Sequence, residues 1–205
     1  MQLTDEWDER YRTNTTAWED DEVAPATKKL ILPHVPPGLS ILELGCGRGV
    51  DSIWLAEQGY QVVACDTAQT AIQQARARAE RRGVTVDFRV ADVLRQRGSL
   101  PRCQAVFERG VFHTFITDEG RALFAQVIAE LLSPGHLWLS LSGIAVTPEE
   151  AAEAAERQEA RVAASQIAHA VEPSFDIVSM TRTTYGFPGG PTDFPALASV
   201  FRRRA

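Results

Sequence analysis

The run Glu43-Leu44-Gly45-Cys46-Gly47-Arg48-Gly49 joins a short apolar stretch to a segment of helical period, and its residues are those of a ligand-binding corner. Glycine takes positive φ readily and lets a ligand approach the main chain, while the helix that follows offers unpaired N–H groups. Asp66 ends the next apolar stretch, about 20 residues on, where a carboxylate accepts both hydroxyls of a ribose. Asp92, within Ala91-Asp92-Val93, ends the third, where an acid accepts a hydrogen bond from an adenine amino group. Each also has a plainer reading: a tight corner, a solvated strand-end acid, a turn-initiating Asp. Set at the carboxyl ends of three consecutive strands, the three features line one crevice and favour an adenosine-bearing ligand. The glycines read Gly45-x-Gly47-x-Gly49 and not G-x-G-x-x-G, and no catalytic Tyr/Lys or His partner accompanies them, which argues against a nicotinamide oxidoreductase.

Positioning these residues requires parallel β-α-β units, and the pattern supplies them. Short apolar runs at 41–44, 62–65, 85–90, 105–108 and 137–141, with two more near 176–185 and 197–202, alternate with helical segments and predict a mostly parallel α/β sheet. Ala68, Ala71, Ile72, Ala75 and Ala79 recur at helical steps, and Gly83 stops that helix. Leu123, Phe124, Val127, Ile128, Leu131 and Leu132 predict a second helix, begun near Asp118 and ended by Ser133-Pro134-Gly135. Pro148-Glu149-Glu150 begins an Ala/Glu/Arg-rich run, to about His169, with high helix propensity.

The chain has 205 residues, 44% hydrophobic and 23% charged, which fits a single domain with one substantial core. The formal charge of −6 comes wholly from residues 1–22, where eight acids meet only Arg10 and Arg12. With no basic stripe, nucleic acid is not an expected partner. No apolar stretch approaches 18 residues, so neither a membrane span nor a signal peptide is expected. The three cysteines, Cys46, Cys65 and Cys103, lie in or beside apolar runs without C-x-x-C spacing and point to a reducing cytoplasm. No metal-ligand spacing is present, and Arg48, His34, His136 and His169 belong to no motif. Trp7, Tyr11 and Trp18 are too aromatic for a disordered tail and need a surface to cover.

Together the first three motifs resemble those of the class I S-adenosylmethionine-dependent methyltransferases, whose first motif is E/D-x-G-x-G-x-G. The resemblance implies a Rossmann-like, seven-stranded sheet of order 3-2-1-4-5-7-6 with strand 7 antiparallel, helices on both faces and an N-terminal helical lid. It implies that Glu43, Leu44 and Gly45 face the methionine portion of S-adenosylmethionine, Asp66 and Thr67 the ribose, and Asp92 and Val93 the adenine, with Gly47 also binding the cofactor. Outside this nucleus, Trp7-Asp8-Glu9-Arg10-Tyr11 with Trp18, the run Glu108-Arg109-Gly110-Val111-Phe112-His113 and the Arg-rich end resemble the thiopurine S-methyltransferase and tellurite-resistance methyltransferase group. Residues 144–175 match no part of it, and Glu108 stands where the group has Asp.

On this resemblance residues 1–35 are a lid and 36–205 the core of one domain. Trp7 and Tyr11 close over the cofactor, excluding water and placing aromatic faces by the sulfonium. Arg109 pairs with the methionine carboxylate and, beside an acceptor thiol, lowers its pKa. His113 is either a capping or packed histidine or a substrate contact or proton acceptor, and Trp18 is a substrate contact. The implied reaction is methyl transfer to a small-molecule nucleophile by a monomer or weak homodimer, a thiol, selenol or other chalcogen being favoured over a heteroaromatic nitrogen or phenol. A non-catalytic adenosine-ligand sensor is the alternative of another class.

Overall fold

The computed structural model describes residues 3–16, 18, 21–157, 160–186 and 194–205; Glu19 and Asp20 of the acidic cluster lie outside the described residues. Helices α1 (Leu3–Arg12) and α2 (Pro25–Ile31) precede an alternation of β1 (Ser40–Leu44), α3 (Val50–Glu57), β2 (Gln61–Asp66), α4 (Gln69–Arg82), β3 (Asp87–Val90), α5 (Val93–Gln96), β4 (Ala105–Arg109), α6 (Asp118–Leu131) and β5 (Leu137–Gly143). Helices α7 (Pro148–Glu156) and α8 (Ala164–Val171) and strands β6 (Phe175–Thr184) and β7 (Pro195–Arg203) complete the chain.

The sheet has order β3-β2-β1-β4-β5-β7-β6, and β7 runs antiparallel to both of its neighbours. The order reverses between β1 and β4, so a crevice opens at their carboxyl ends, and Gly45, Asp66, Ala91 and Gly110 all sit along it. Alternate residues of each strand feed two cores. Leu42, Leu44, Val106 and Trp138 pack with α6 and α8 on one face, while Ile41, Ala64, Phe107 and Leu139 pack with α2, α3 and α4 on the other. Burial on both faces is why the strands read as continuous apolar runs.

Two helical expectations are refined. In α6, Phe124, Val127, Ile128 and Leu131 are buried, but Leu123 is 45% exposed, on the flank of the stripe. The helix starts at Asp118, as expected; its N-cap is Thr117, whose Oγ1 accepts the Gly120 N–H, while Asp118 pairs with Arg121. The run from Pro148 to His169 is not one helix. Val162 is fully buried, bridges Ile144 in parallel and donates its N–H to the Gly143 carbonyl, separating α7 from α8. Burying a β-branched residue against the end of β5 outweighs the helix propensity of the flanking alanines and glutamates. At the other edge β6 carries a register shift between Ile177 and Ser179, a bulge of the kind that blunts exposed edges.

Candidate active site

Gly45, Gly47 and Gly49 take φ of +65°, +52° and +75°, so the turn after β1 is left-handed at every second residue. A Cβ on Gly45 would stand 2.3 Å from Val111 Cγ2, which makes that position a close approach between two loops as well as a turn. Glu43, only 2% exposed, accepts a short hydrogen bond from the Ser52 hydroxyl and is thereby tied to the first turn of α3. Asp66 accepts the Gly47 N–H on Oδ2 and the Ala68 N–H on Oδ1, both at 2.9 Å. Its burial raises its pKa against the pull of those amides. The Asp66 carboxylate thus fixes the glycine turn and the start of α4 around one point of the crevice. Leu44 is buried beneath it and Thr67 is half-buried beside it. Farther along, Asp92 caps α5 by accepting the Leu94 N–H at 3.0 Å, so its turn-initiating reading holds structurally, and Val93 packs against the core.

At the reversal of strand order, Arg109 Nε donates to Asp51 Oδ2 at 2.6 Å. Burial opposes the guanidinium's charge, but Asp51 overrides it and holds the pKa above its ordinary value. The preceding residue, Glu108, points to the opposite face and is fully buried. Its Oε2 accepts the Val111 and Phe112 N–H groups at 2.9 and 3.1 Å, and its Oε1 accepts a short hydrogen bond from Ser140. Burial prevails over these contacts and pushes the carboxyl up to about 7. Glu108 therefore sets the path of the loop carrying His113, a role the longer side chain fills where the resembling group has Asp.

His113 lies in a 3-10 turn, Phe112–Thr114, and its Nδ1 accepts the Gly143 N–H at 3.2 Å. Nδ1 is thus unprotonated, and burial lowers the imidazole pKa to about 4. The Tyr185 hydroxyl sits 3.4 Å from the same nitrogen and donates to the Leu141 carbonyl at 3.0 Å. His113, Tyr185 and Phe194 form consecutive ring contacts, with centroids 6.3 and 5.6 Å apart, and the Arg161 guanidinium lies 5.1 Å from the Phe194 centroid. A Cβ on Gly143 would come within 2.9 Å of the Phe194 ring, so this glycine makes room for the aromatic wall.

The N-terminal segment meets the same region. Asp8 of α1 accepts the Thr70 N–H at 2.7 Å, capping α4, whose own N-cap residue Ala68 has no side-chain acceptor. Tyr11 is buried on Ala68 and Ala71, Trp18 donates to its hydroxyl at 3.4 Å, and Trp7 packs edge-on to Trp18 at 5.5 Å. Arg10 covers both indoles at 5.3 and 5.6 Å. Arg48 donates to Thr16 at 3.2 Å and, in a short contact, to Asn14. The structure therefore brings Trp7, Tyr11 and Trp18 together, and Arg48, which has no motif spacing, joins their segment to the glycine turn. Asp51, Asp8, Tyr185 and Phe194 are neighbours of the candidate site that sequence reasoning missed. Among the described residues no cluster of His, Cys, Asp and Glu is able to hold a metal ion, and no helix is long and apolar enough to cross a membrane.

A family model described as thiopurine S-methyltransferase matches residues 2–155. The chain belongs to the thiopurine S-methyltransferase family. A 2-heptyl-1-hydroxyquinolin-4(1H)-one methyltransferase of Mycobacteroides abscessus is 34% identical over 125 residues, covering 60% of this chain and 54% of that protein. A thiopurine S-methyltransferase of Bordetella petrii is 35% identical over 69 residues, 33% of this chain and 32% of that protein. The chain thus matches about half the length of the first curated relative and a third of the second. A solved structure from the conversion of a disulfide bond into a thioacetal group during echinomycin biosynthesis superposes with a TM-score of 0.82 at 25% identity, covering 99% of this chain and 92% of that one. The family match runs through α1, the glycine turn, the Arg109 loop and into α7, so all of these site elements except Tyr185, Phe194 and Arg161 fall within it.

Proposed function

We propose that the chain transfers a methyl group from S-adenosylmethionine to a small-molecule nucleophile, releasing S-adenosylhomocysteine. The observation that carries this reading is the crevice in which Asp66, fixed by the Gly47 and Ala68 amides, shares the strand-end line with the Arg109–Asp51 pair. A carboxylate for a ribose and a guanidinium for an amino-acid carboxylate stand on either side of a glycine turn open to close approach. These residues fit the cofactor, whose sulfonium supplies an already activated methyl group. Glu43, Leu44, Gly45 and Gly47 flank its methionine portion, Asp66 and Thr67 hold the ribose, and Asp92 and Val93 hold the adenine. Arg109 orients the methionine carboxylate, and Trp7 and Tyr11 exclude water. Trp18 and His113 face the acceptor. Holding donor and acceptor in line contributes up to roughly 7–11 kcal/mol without a catalytic side chain.

A thiol, selenol or other chalcogen is the favoured acceptor, because His113 is held neutral with its Nδ1 engaged and is a poor base at neutral pH. A heteroaromatic or phenolic N- or O-acceptor is the second reading, favoured by the wall of His113, Tyr185 and Phe194 under Arg161. Residues 1–35 act as lid to the 36–205 core, in a monomer or weak homodimer. The three cysteines are buried and form no disulfide among the described residues, which fits a reducing cytoplasm. The test is a screen of thiols, selenite, tellurite, hydroxyquinolones and phenols, with S-adenosylhomocysteine read by mass spectrometry. Turnover with a member of the panel is expected. Cofactor binding with no turnover across the panel would favour a sensor instead.

A further inference from the structure

Asp51 is 3% exposed and occupies the second position of α3, directly behind the glycine turn. Its Oδ2 takes the Arg109 Nε, but its Oδ1 is buried and has no hydrogen-bond partner among the described residues. A carboxylate oxygen in that state is costly, and such groups in folded proteins are nearly always satisfied by something. The pair spans the gap between the first turn of α3 and the last residue of β4, the end of the crevice opposite Asp92. The nearby Glu43 carboxylate already receives the Ser52 hydroxyl.

Resting on the cofactor reading above, we infer that Asp51 Oδ1 receives the α-ammonium group of the cofactor's amino-acid portion, so that Asp51 and Arg109 together form a receptor for an α-amino-acid zwitterion. The charges match: the ion pair has no net charge, and neither has the zwitterion, so docking one against the other adds two charge-assisted contacts without leaving a buried charge uncompensated. The geometry also divides the labour. The bond from Arg109 Nε to Asp51 Oδ2 leaves Oδ1 for the ammonium, with Arg109 taking the carboxylate.

Calorimetric titration of the full chain separates this role from simple support of Arg109. Three ligands are compared in wild type and in Asp51→Asn: S-adenosylhomocysteine, its analogue with the α-amino group replaced by hydrogen, and 5′-methylthioadenosine, which lacks the amino-acid portion. In Asp51→Asn, S-adenosylhomocysteine should weaken by roughly 10- to 100-fold, while the deaminated analogue and 5′-methylthioadenosine change by less than about threefold. In wild type, removing the amino group should cost a similar factor. If Asp51→Asn fails to fold by circular dichroism, Asp51→Glu carries the same comparison. Equal losses for S-adenosylhomocysteine and the deaminated analogue, or no loss for either, would overturn the inference while leaving the cofactor reading intact. Absence of S-adenosylhomocysteine binding by wild type would overturn both.

Discussion

Glu108 and His113 bracket the loop after β4, and burial acts on them in opposite directions. The Glu108 carboxyl is raised from 4.5 to about 7, chiefly by its removal from water, and the His113 imidazole is lowered from 6.5 to about 4 by the same cause. Unfolded, Glu108 loses its proton near its ordinary value; folded, it keeps that proton to about 7. Its contribution to stability is therefore complete below about pH 4.5 and lost as pH rises through 7. His113 behaves oppositely. Its contribution is complete above about pH 6.5 and lost as pH falls toward 4, because only the unfolded chain takes up the proton in between. Each displacement is worth about 3 kcal/mol at roughly 1.36 kcal/mol per pH unit, and between about pH 4.5 and 6.5 the two slopes cancel. Glu108→Gln removes one of them while keeping an acceptor for the Val111 and Phe112 amides. The stability of the variant relative to wild type should then rise by about 3 kcal/mol from pH 4.5 to 7. Urea unfolding followed by tryptophan fluorescence, at constant ionic strength in half-unit pH steps, measures that difference while other titrating groups cancel. A difference that stays flat or falls with pH would refute the assignment of a buried, protonated Glu108.

Three further outcomes test the site. Asp66→Asn should weaken S-adenosylhomocysteine binding by roughly 10- to 100-fold in calorimetry, since charge-assisted bonds to the ribose hydroxyls become neutral ones; affinity unchanged within threefold would remove the ribose role. His113→Ala should lower kcat/KM for a thiol acceptor by less than about tenfold, whereas a true general base would cost about 10²–10⁴-fold and take an ascending limb of the pH profile with it. Gly45→Ala should destabilise the fold by about 2–4 kcal/mol in denaturant titration, from positive φ plus the 2.3 Å approach to Val111; a loss under 1 kcal/mol would mean the two loops separate easily.

The parts of the fold legible in the sequence are those set by local pattern. Strands buried on two faces announce themselves as apolar runs, and Gly83 marks the end of α4 by its left-handed φ of +67°. The order of the strands is not a local property, and here it came from resemblance to a family. The 148–169 region fails for the complementary reason: its alanines and glutamates speak for helix, and the bridge between Val162 and Ile144, which interrupts it, is not a local signal. The site divides the same way. Asp66 and the glycine turn are legible because both lie at strand ends. The partners of Arg109, Arg48 and Thr70 lie 58, 32 to 34 and 62 residues away and become neighbours only once β1 stands beside β4 and α1 lies on α4.

That division bears on how the reaction is run under the proposed reading. The legible residues position the donor, and none of them moves a proton. The residues nearest the acceptor side are each held in a fixed state by contacts that sequence spacing does not reveal: Arg109 charged against Asp51, His113 neutral against the Gly143 amide, Tyr185 donating to Leu141 with its phenol pKa raised by burial. Groups locked this way make a rigid wall, and rigidity is what an in-line transfer from an activated sulfonium needs. They also leave the acceptor to arrive already ionised, because Asp51 compensates the charge of Arg109. The specificity of such a site for sulfur, selenium or an acidic heteroaromatic hydroxyl would then follow from the acceptor's own pKa and polarizability as much as from the shape of the pocket.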